Sequence, residues 1–329
     1  MPIARRSRAR TGAAVAALAF AAQAAPAAAD GLPLPVEDSP SGVRASDGSA
    51  RYLSVTLAGR TAVLAQEAAG GAITSRADLR GRFTVPLVAY DSSAGGISGD
   101  GRTLVLIRPR ASFPRTSTTF AVMTAKPRLR LRRVVRLRGD FSYDALSPDG
   151  RALFLINYIA PRDPTRYRVR VYDLARRRLD PAPVVDPREP PDDMSGLAVT
   201  RAASADGRWA YTLYARQGAE PPFVHALDTR DRRAACIDLD GSAPAGVNPY
   251  ELRLAVAAGG RRLDVRGRRG LLATVDTTTL RVRAGPAAGA AAAAGDGSGT
   301  PWPAPVALAL LAAAILALRS ARRRRRAAT

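Results

Sequence analysis

The sequence contains one cysteine, one histidine, one lysine and few aromatic residues, and each shortage excludes a class of protein. The lone cysteine, Cys236, cannot close an intrachain disulfide, so disulfide bonds do not hold this fold together. One cysteine and one histidine, His225, cannot supply the ligands of a zinc site, and we predict no metal site. Aromatic residues make up 5% of the chain, so the core must consist mostly of leucine, valine and alanine.

The sequence also lacks the motifs of common hydrolases. A Ser-His-Asp triad would require His225, but no G-x-S-x-G motif accompanies it. The acidic stretches at residues 190–193 and 238–241 lack the full pattern of a calcium-binding loop. We therefore predict no catalytic residues and no cofactor.

The first 29 residues have the pattern of a secretory signal peptide. Four arginines precede an apolar run at residues 13–22, and three alanines at 27–29 offer the small residues that a signal peptidase needs. We predict cleavage before Asp30. The alternative is an uncleaved N-terminal anchor.

The C-terminal end has the pattern of a membrane anchor. A linker rich in alanine and glycine at residues 287–300 precedes an apolar transmembrane segment at 301–319 and a basic tail at 320–329. Because arginines accumulate on the cytoplasmic side, we predict a cytoplasmic C-terminus and an exported, membrane-anchored body. The alternatives are processing of this tail, as in bacterial sorting signals, and a buried helix of the soluble domain.

Between these ends, residues 30–286 carry an internal repeat of about 50 residues. Its clearest copies are SGDGR at 98–102, SPDGR at 147–151 and SADGR at 204–208, with weaker copies at 46–48 and 257–261. Each is a tight turn whose last glycine can adopt a positive φ, and a strand-like apolar run follows it. A second mark, an aspartate that ends a later strand, recurs in phase at Asp173, Asp228 and Asp276.

These two marks resemble the repeats of WD40-like β-propellers, in particular the TolB and YVTN types. The resemblance covers residues 40–285 and implies an all-β propeller of five or six blades. A sixth blade would combine the two ends of the body, with residues 32–43 beside 271–282. An irregular β-sandwich or two small β domains are the alternatives.

Pairs of a tyrosine and an acid precede three of the repeat turns. The pairs are Tyr90 with Asp91, Tyr143 with Asp144, and Tyr250 with Glu251. If the propeller places them at the channel mouth, they form a ligand face suited to a sugar or a cationic peptide. The alternative is ordinary packing at strand edges.

Arginine supplies almost all of the net charge of +22 and forms one dense cluster within the body. On a regular strand, five of its members would share one basic face: Arg128, Arg130, Arg132, Arg136 and Arg138. Such a face attracts anionic polymers, whereas a charged edge strand that resists aggregation is the alternative. Nucleic acid is not an expected partner, because the chain carries an export signal and no recognition motif.

The sequence thus predicts a non-catalytic interaction or ligand-binding module of the cell envelope. Its partner would be an envelope protein, a glycan or an anionic cell-wall polymer. The alternative function is an envelope enzyme of the lactonase or glycan-processing type that uses channel carboxylates.

Overall fold

The computed structural model describes residues 41–189, 194–216, 220–239, 241–242, 247–257 and 259–287. These residues form five antiparallel sheets that follow one another along the chain. The predicted signal peptide, transmembrane segment and basic tail, and the linker beyond residue 287, lie outside the described residues.

Four of the five sheets contain a meander of four strands, and the remaining sheet, sheet 2, has three. Sheet 1 contains β1 (Val43–Arg44), β2 (Ala50–Leu57), β3 (Arg60–Glu67) and β4 (Ile73–Arg80). Sheet 2 contains β5 (Thr103–Ile107), β6 (Ser117–Thr124) and β7 (Arg130–Arg138). Sheet 3 contains β8 (Phe141–Leu146), β9 (Ala152–Ala160), β10 (Asp163–Asp173), β11 (Arg178–Leu179) and the short β12 (Met194–Ser195), which also pairs with β10.

Sheets 4 and 5 continue the same order. Sheet 4 contains β13 (Leu197–Ala203), β14 (Trp209–Ala215), β15 (Phe223–Asp228) and β16 (Arg233–Asp238). Sheet 5 contains β17 (Arg253–Val256), β18 (Arg262–Gly267), β19 (Gly270–Asp276) and β20 (Val282–Ala284). Consecutive meanders of this kind are the blades of a β-propeller, so the predicted all-β, propeller-type architecture is confirmed.

The first-strand position of sheet 2 is filled by a short extended segment. Ser98 N donates to Thr103 O at 2.9 Å, and Val105 N donates to Gly96 O at 2.7 Å. This segment therefore pairs with β5 as β1 pairs with β2 in sheet 1.

The core consists of apolar clusters between neighbouring sheets. Four large clusters join sheets 1 and 2, 2 and 3, 3 and 4, and 4 and 5. Strands in the middle of the body are covered on both faces, and every residue of Thr103–Ile107 is buried. This burial explains why the apolar runs after the repeat turns are nearly continuous rather than alternating.

Among the described residues, no apolar cluster contains side chains of both sheet 5 and sheet 1. Sheet 1 consequently leaves Val55, Leu57 and Ile73 more than half exposed. Ring closure and the number of blades therefore stay predictions, and residues 32–40 lie outside the described part of the chain.

The repeat motifs form the tight turns that the sequence predicts. In all five copies the last glycine has a φ of 66–72° and donates its N–H to the carbonyl three residues earlier at 2.9 Å. In the three clear copies, the serine hydroxyl also donates to the aspartate carboxylate two residues later at 2.6 Å. Each turn links the first-strand and second-strand positions of its sheet.

The recurring aspartates close the turn after the third strand. Asp173 Oδ1 accepts hydrogen bonds from the N–H groups of Ala175 and Arg176, at 3.0 and 2.8 Å. Asp228 and Asp276 accept the equivalent pairs in sheets 4 and 5. The carboxylate accepts hydrogen bonds from backbone N–H groups that the turn leaves without partners. This role explains why an aspartate recurs at the end of the third strand.

Four of the repeat turns meet at Gly99. Ser46 Oγ donates to Gly99 O at 2.7 Å, and Asp100 N donates to Pro148 O at 2.9 Å. A Cβ on Gly99 would lie 2.6 Å from Asp206 O. The turns of sheets 1 to 4 thus converge at one end of the body, whereas a Cβ on Gly260 of the fifth turn would meet nothing within 4 Å.

We expect Gly99→Ala to lower the free energy of unfolding by about 1–3 kcal/mol, because the added methyl group overpacks against backbone atoms that other turns hold in place. The matched control is Gly70→Ala, whose Cβ would contact only the end of the Glu67 side chain at 3.3 Å. Urea denaturation measures both variants. Equal losses would contradict a convergence of turns at Gly99.

Candidate functional site

A cavity of about 340 Å³ lies where the first-strand positions of sheets 1 to 4 meet. We call it the central cavity. Each of these sheets contributes to its wall, through Val43, Gly95, Asp144 and Arg201 respectively. The last three each stand three positions before the serine that begins a clear copy of the repeat turn. The repeat itself therefore sets which residues of sheets 2 to 4 line the cavity.

A buried ion pair in the wall of the central cavity joins sheets 3 and 4. Arg201 on β13 donates from Nη2 to Asp144 Oδ1 and, at 2.9 Å, from Nη1 to the backbone oxygen of Asp144 on β8. The side chain of Asp144 is 2% exposed and that of Arg201 is 11% exposed. Burial is the largest single influence on the pKa of Arg201 and acts to lower it, but the charge and hydrogen bond of Asp144, together with the neighbouring tyrosines, raise that pKa overall.

Two polar atoms of this pair have no hydrogen-bond partner among the described residues: Asp144 Oδ2 and Arg201 Nε. Each is a strong hydrogen-bonding group, one an acceptor and one a donor. A buried polar atom without a partner costs about 1–3 kcal/mol. The pair is therefore equipped to bind a molecule that both donates and accepts hydrogen bonds.

Aromatic side chains complete the cavity wall. Tyr143 is 3% exposed, and a Cβ on Gly95 would lie 2.5 Å from its ring, so only glycine fits there. Burial raises the pKa of Tyr143 and keeps its phenol protonated. Trp209 also lines the cavity and stacks on Tyr211, with ring centroids 5.9 Å apart.

The three predicted tyrosine–acid pairs occupy different environments. Tyr143 and Asp144 lie in the central cavity, as described above. Tyr90 is 55% exposed and packs edge-on against Tyr250, with ring centroids 5.1 Å apart. The structure thus brings Tyr90 and Tyr250 together but does not arrange the three pairs as equivalent positions of a ring.

The acids beside these two tyrosines make local interactions. Asp91 Oδ1 accepts hydrogen bonds from the backbone and hydroxyl of Ser93, at 3.0 and 2.6 Å. Glu251 ends the short 3-10 helix Pro249–Glu251 and forms an ion pair with Arg268 at 3.0 Å. A ligand-binding role for these two acids stays a prediction.

The arginine cluster does not share one face as the sequence predicted. A bulge in β7 places Val122 opposite Arg133 and Met123 opposite Leu131, so Arg132 is the extra residue. The bulge reverses the alternation of side chains, and members of the cluster before and after it therefore lie on opposite faces. The prediction of a single basic face was wrong, because a regular strand was assumed.

The five predicted members of that face are consequently dispersed. Arg130 lies on the face opposite to Arg136 and Arg138, Arg132 is the bulged residue, and Arg128 precedes the strand.

A second cavity, of about 220 Å³, lies between sheets 3 and 4. We call it the interface cavity. His225 and Cys236 line it from sheet 4, and Met194 lines it from sheet 3. Burial lowers the pKa of His225 to about 4 and raises that of Cys236 to about 11, so both groups are neutral near pH 7.

Sequence reasoning missed Arg201 and Trp209. The signal for Arg201 was present, because it stands three residues before the SADGR turn at 204–208, as Asp144 does before the SPDGR turn at 147–151. Trp209 directly follows the arginine of the former turn and begins β14. Aligning the copies on their turns would have placed Asp144 and Arg201 at equivalent positions of neighbouring sheets.

No protein-family model and no curated protein matches the chain. It is similar to solved structures that include TolB from Acinetobacter baumannii, with 14% identity, a TM-score of 0.39, and coverage of 73% of this chain and 52% of TolB. The chain thus spans about half the length of that protein. The periplasmic gluconolactonase of Pseudomonas aeruginosa is 24% identical, with a TM-score of 0.42 and coverage of 76% of this chain and 72% of the enzyme.

An oligogalacturonate lyase in complex with manganese is a third similar structure, with 11% identity, a TM-score of 0.44, and coverage of 74% of this chain and 63% of the lyase. All three TM-scores are below 0.5.

Two further properties concern the described ranges alone. None of the helices within them combines the length and the hydrophobicity that a membrane-spanning segment requires, and the predicted segment at 301–319 lies outside them. In the same ranges, no three residues of the types His, Cys, Asp and Glu stand close enough together to hold a metal ion.

Proposed function

We propose that this protein is an exported, membrane-anchored propeller that binds a small, uncharged, hydroxyl-rich ligand, such as a sugar, in its central cavity without transforming it. The observation that carries the proposal is the buried pair Asp144–Arg201, with one acceptor and one donor atom left without partners among the described residues. Both atoms are buried, so the hydroxyl groups of a ligand can donate to Asp144 Oδ2 and accept from Arg201 Nε once the side chains that cover them move aside.

The charge of the cavity favours an uncharged ligand. Asp144 and Arg201 neutralise each other, so the pair adds no net charge that would attract an ion. Arg44, the other charged residue among the described residues that line the cavity, is exposed, so solvent screens its positive charge. Trp209 and Tyr143 offer apolar ring surface with a polar group at the edge, which suits the faces of a sugar ring.

The volume of the central cavity also suits a small-molecule ligand. Small-molecule sites have volumes of roughly 300–1,000 Å³ and combine apolar walls with a few polar groups. At about 340 Å³ the central cavity lies at the lower end of this range, which favours a ligand of one or two rings over a polymer chain.

The carboxylates of the central cavity give less support to the alternative function, an enzyme that uses channel carboxylates. Asp144 is the one carboxylate among the described residues that line the cavity, and its Oδ1 is engaged by Arg201. Hydrolysis of a glycosidic bond by paired carboxylates requires a second acid nearby. Monitoring the ligand for chemical change tests this alternative directly.

Fluorescence of Trp209 provides the test of ligand binding. The chain has two tryptophans, so Trp302→Phe leaves Trp209 as the sole reporter at the cavity. We expect a panel of neutral mono- and disaccharides to include a ligand that changes this fluorescence saturably and is recovered unchanged. Asp144→Asn should weaken its binding by about 10–100-fold, since a charged hydrogen-bond acceptor is lost.

The matched control is Asp78→Asn, which makes the same chemical change at an exposed acid outside the cavity wall. It should leave the affinity unchanged. Thermal melting of each variant verifies that it is folded at the assay temperature. Equal affinity of folded Asp144→Asn and the parent, or binding of charged sugars alone, would contradict the proposed ligand, and conversion of the sugar would favour the enzyme.

Export and anchoring are tested by cell fractionation with protease treatment of intact cells. The sequence supports a mature N-terminus at Asp30 and retention of the basic tail at 320–329. Mass spectrometry should find both, in a membrane fraction whose body is cleaved from outside. Recovery from the cytoplasm with both ends intact would contradict this part of the proposal.

A further inference from the structure

The interface cavity gathers soft ligand atoms that are scarce in this chain. The chain has one histidine, one cysteine and three methionines. The histidine, the cysteine and one methionine, Met194, all line this single cavity of about 220 Å³. This concentration has no role in the ligand site proposed above, which lies in the central cavity.

Strand register places the histidine beside the cysteine. His225 on β15 pairs directly with Cys236 on β16. Directly paired residues of antiparallel strands project from the same face of the sheet, with Cβ atoms about 4.5–5.5 Å apart. Their face carries Phe223 and Leu227, which pack in the apolar cluster between sheets 3 and 4.

Met194 approaches from the opposite sheet. It lies on the short strand Met194–Ser195, where it pairs with Tyr167 of β10. Met194 and Cys236 are both half-buried and pack against the same apolar cluster. The thioether therefore faces the cavity from sheet 3, while the thiol and the imidazole line it from sheet 4.

The imidazole of His225 has a buried nitrogen without a hydrogen-bond partner among the described residues. His225 is 1% exposed, and its Nε2 atom has no hydrogen-bond partner among the described residues. A histidine that served packing alone would leave this polar atom buried without compensation. A cation bound to Nε2 would satisfy it.

We propose that the interface cavity binds one soft monovalent cation, Cu(I) or its analogue Ag(I), through Cys236 Sγ, His225 Nε2 and Met194 Sδ. Thiolate and thioether sulfur select soft cations, and imidazole also suits copper. Harder cations need several oxygen ligands. Of the two carboxylates that line the cavity, that of Asp186 is bound by the Arg188 guanidinium at 2.6 Å. The carboxylate of Glu189 alone does not supply the several oxygen ligands that a harder cation needs.

Binding requires one proton to leave. The S–Cu bond forms as the S–H bond of Cys236 breaks, and the proton passes to solvent. No electron is transferred, because copper enters and stays as Cu(I). Asp186 also accepts the backbone N–H of Cys236 at 2.8 Å, so its negative charge lies beside the cysteine that would hold the cation.

The test titrates Cu(I) into the full chain without oxygen, in competition with a coloured Cu(I) chelator. A histidine-free affinity tag keeps His225 the sole imidazole. We expect one Cu(I) per chain and a near-ultraviolet absorption band from the thiolate–Cu(I) bond. Cys236→Ala should remove the band and weaken binding by at least about tenfold.

Methionine variants provide matched controls for folding and specificity. Met194→Leu keeps a similar apolar volume and should weaken Cu(I) binding, whereas Met123→Leu, which makes the same change in the cluster between sheets 1 and 2, should not. Thermal melting should show all variants folded. Absence of Cu(I) binding by the parent chain, unchanged affinity of Cys236→Ala, or equal effects of the two methionine variants would overturn the proposal.

Discussion

Asp144→Ala is expected to lower the free energy of unfolding by about 3–5 kcal/mol, as measured by urea denaturation. The reason is the burial of its partner. With the carboxylate removed, the guanidinium of Arg201, whose side chain is 11% exposed, keeps its charge without the group that neutralises it. Water in the central cavity replaces only part of the lost interaction, because the Arg201 side chain is almost fully buried.

A double-mutant cycle separates the contribution of the ion pair to the free energy of unfolding from the contribution of side-chain packing. Arg201→Met removes the charge and keeps much of the side-chain length, so the double variant Asp144→Ala/Arg201→Met no longer buries an unpaired charge. We expect it to be more stable than Asp144→Ala alone. The exposed pair Arg76–Asp78 is the control, and Asp78→Ala should change stability little. Strict additivity of the two cavity changes would contradict an energetic coupling between Asp144 and Arg201.

The second large effect is a loss of stability on mild acidification that depends on His225. Burial lowers the pKa of this imidazole to about 4, while the charge of Asp144 opposes that shift and the charge of Arg201 adds to it. In the unfolded chain the pKa is near 6.5. Between these values the unfolded chain binds a proton that the folded chain does not. The stability is therefore fully present above about pH 6.5 and is lost as the pH falls through about 4.

The expected loss is roughly 3 kcal/mol over this pH interval, at about 1.4 kcal/mol for each pH unit. Urea denaturation from pH 7.5 to 4, with a chelator present to keep the protein metal-free, measures it. His225→Gln removes the titrating group and should flatten the profile relative to the parent chain. Parallel profiles for the two proteins would show that His225 does not retain a depressed pKa in the folded state.

Much of the fold was predictable because turns are local. The SPDGR turn at 147–151 requires only the conformational preferences of its own residues, and its glycine adopts the expected φ of 66°. The aspartates at 173, 228 and 276 likewise act within two or three residues of themselves. Two such marks at a constant spacing indicate repeated meanders before any contact between sheets is known.

Local irregularity explains the wrong prediction for the arginine cluster. The bulge at Arg132 arises where β7 pairs with β6, and nothing in the sequence of β7 alone fixes that register. One extra residue moves every following side chain to the other face. A predicted face that depends on strict alternation along the whole of β7 is therefore sensitive to a single unpaired position.

By itself, the sequence determined the all-β class, the repeat, and the location of its turns, because these depend on neighbours along the chain. The tertiary structure alone decided which residues meet across sheets. Asp144 and Arg201 are 57 residues apart, and Met194 reaches the same cavity as Cys236 only because sheets 3 and 4 pack face to face. Such contacts depend on the packing of whole sheets, and a one-dimensional pattern does not record the twist and register that create them.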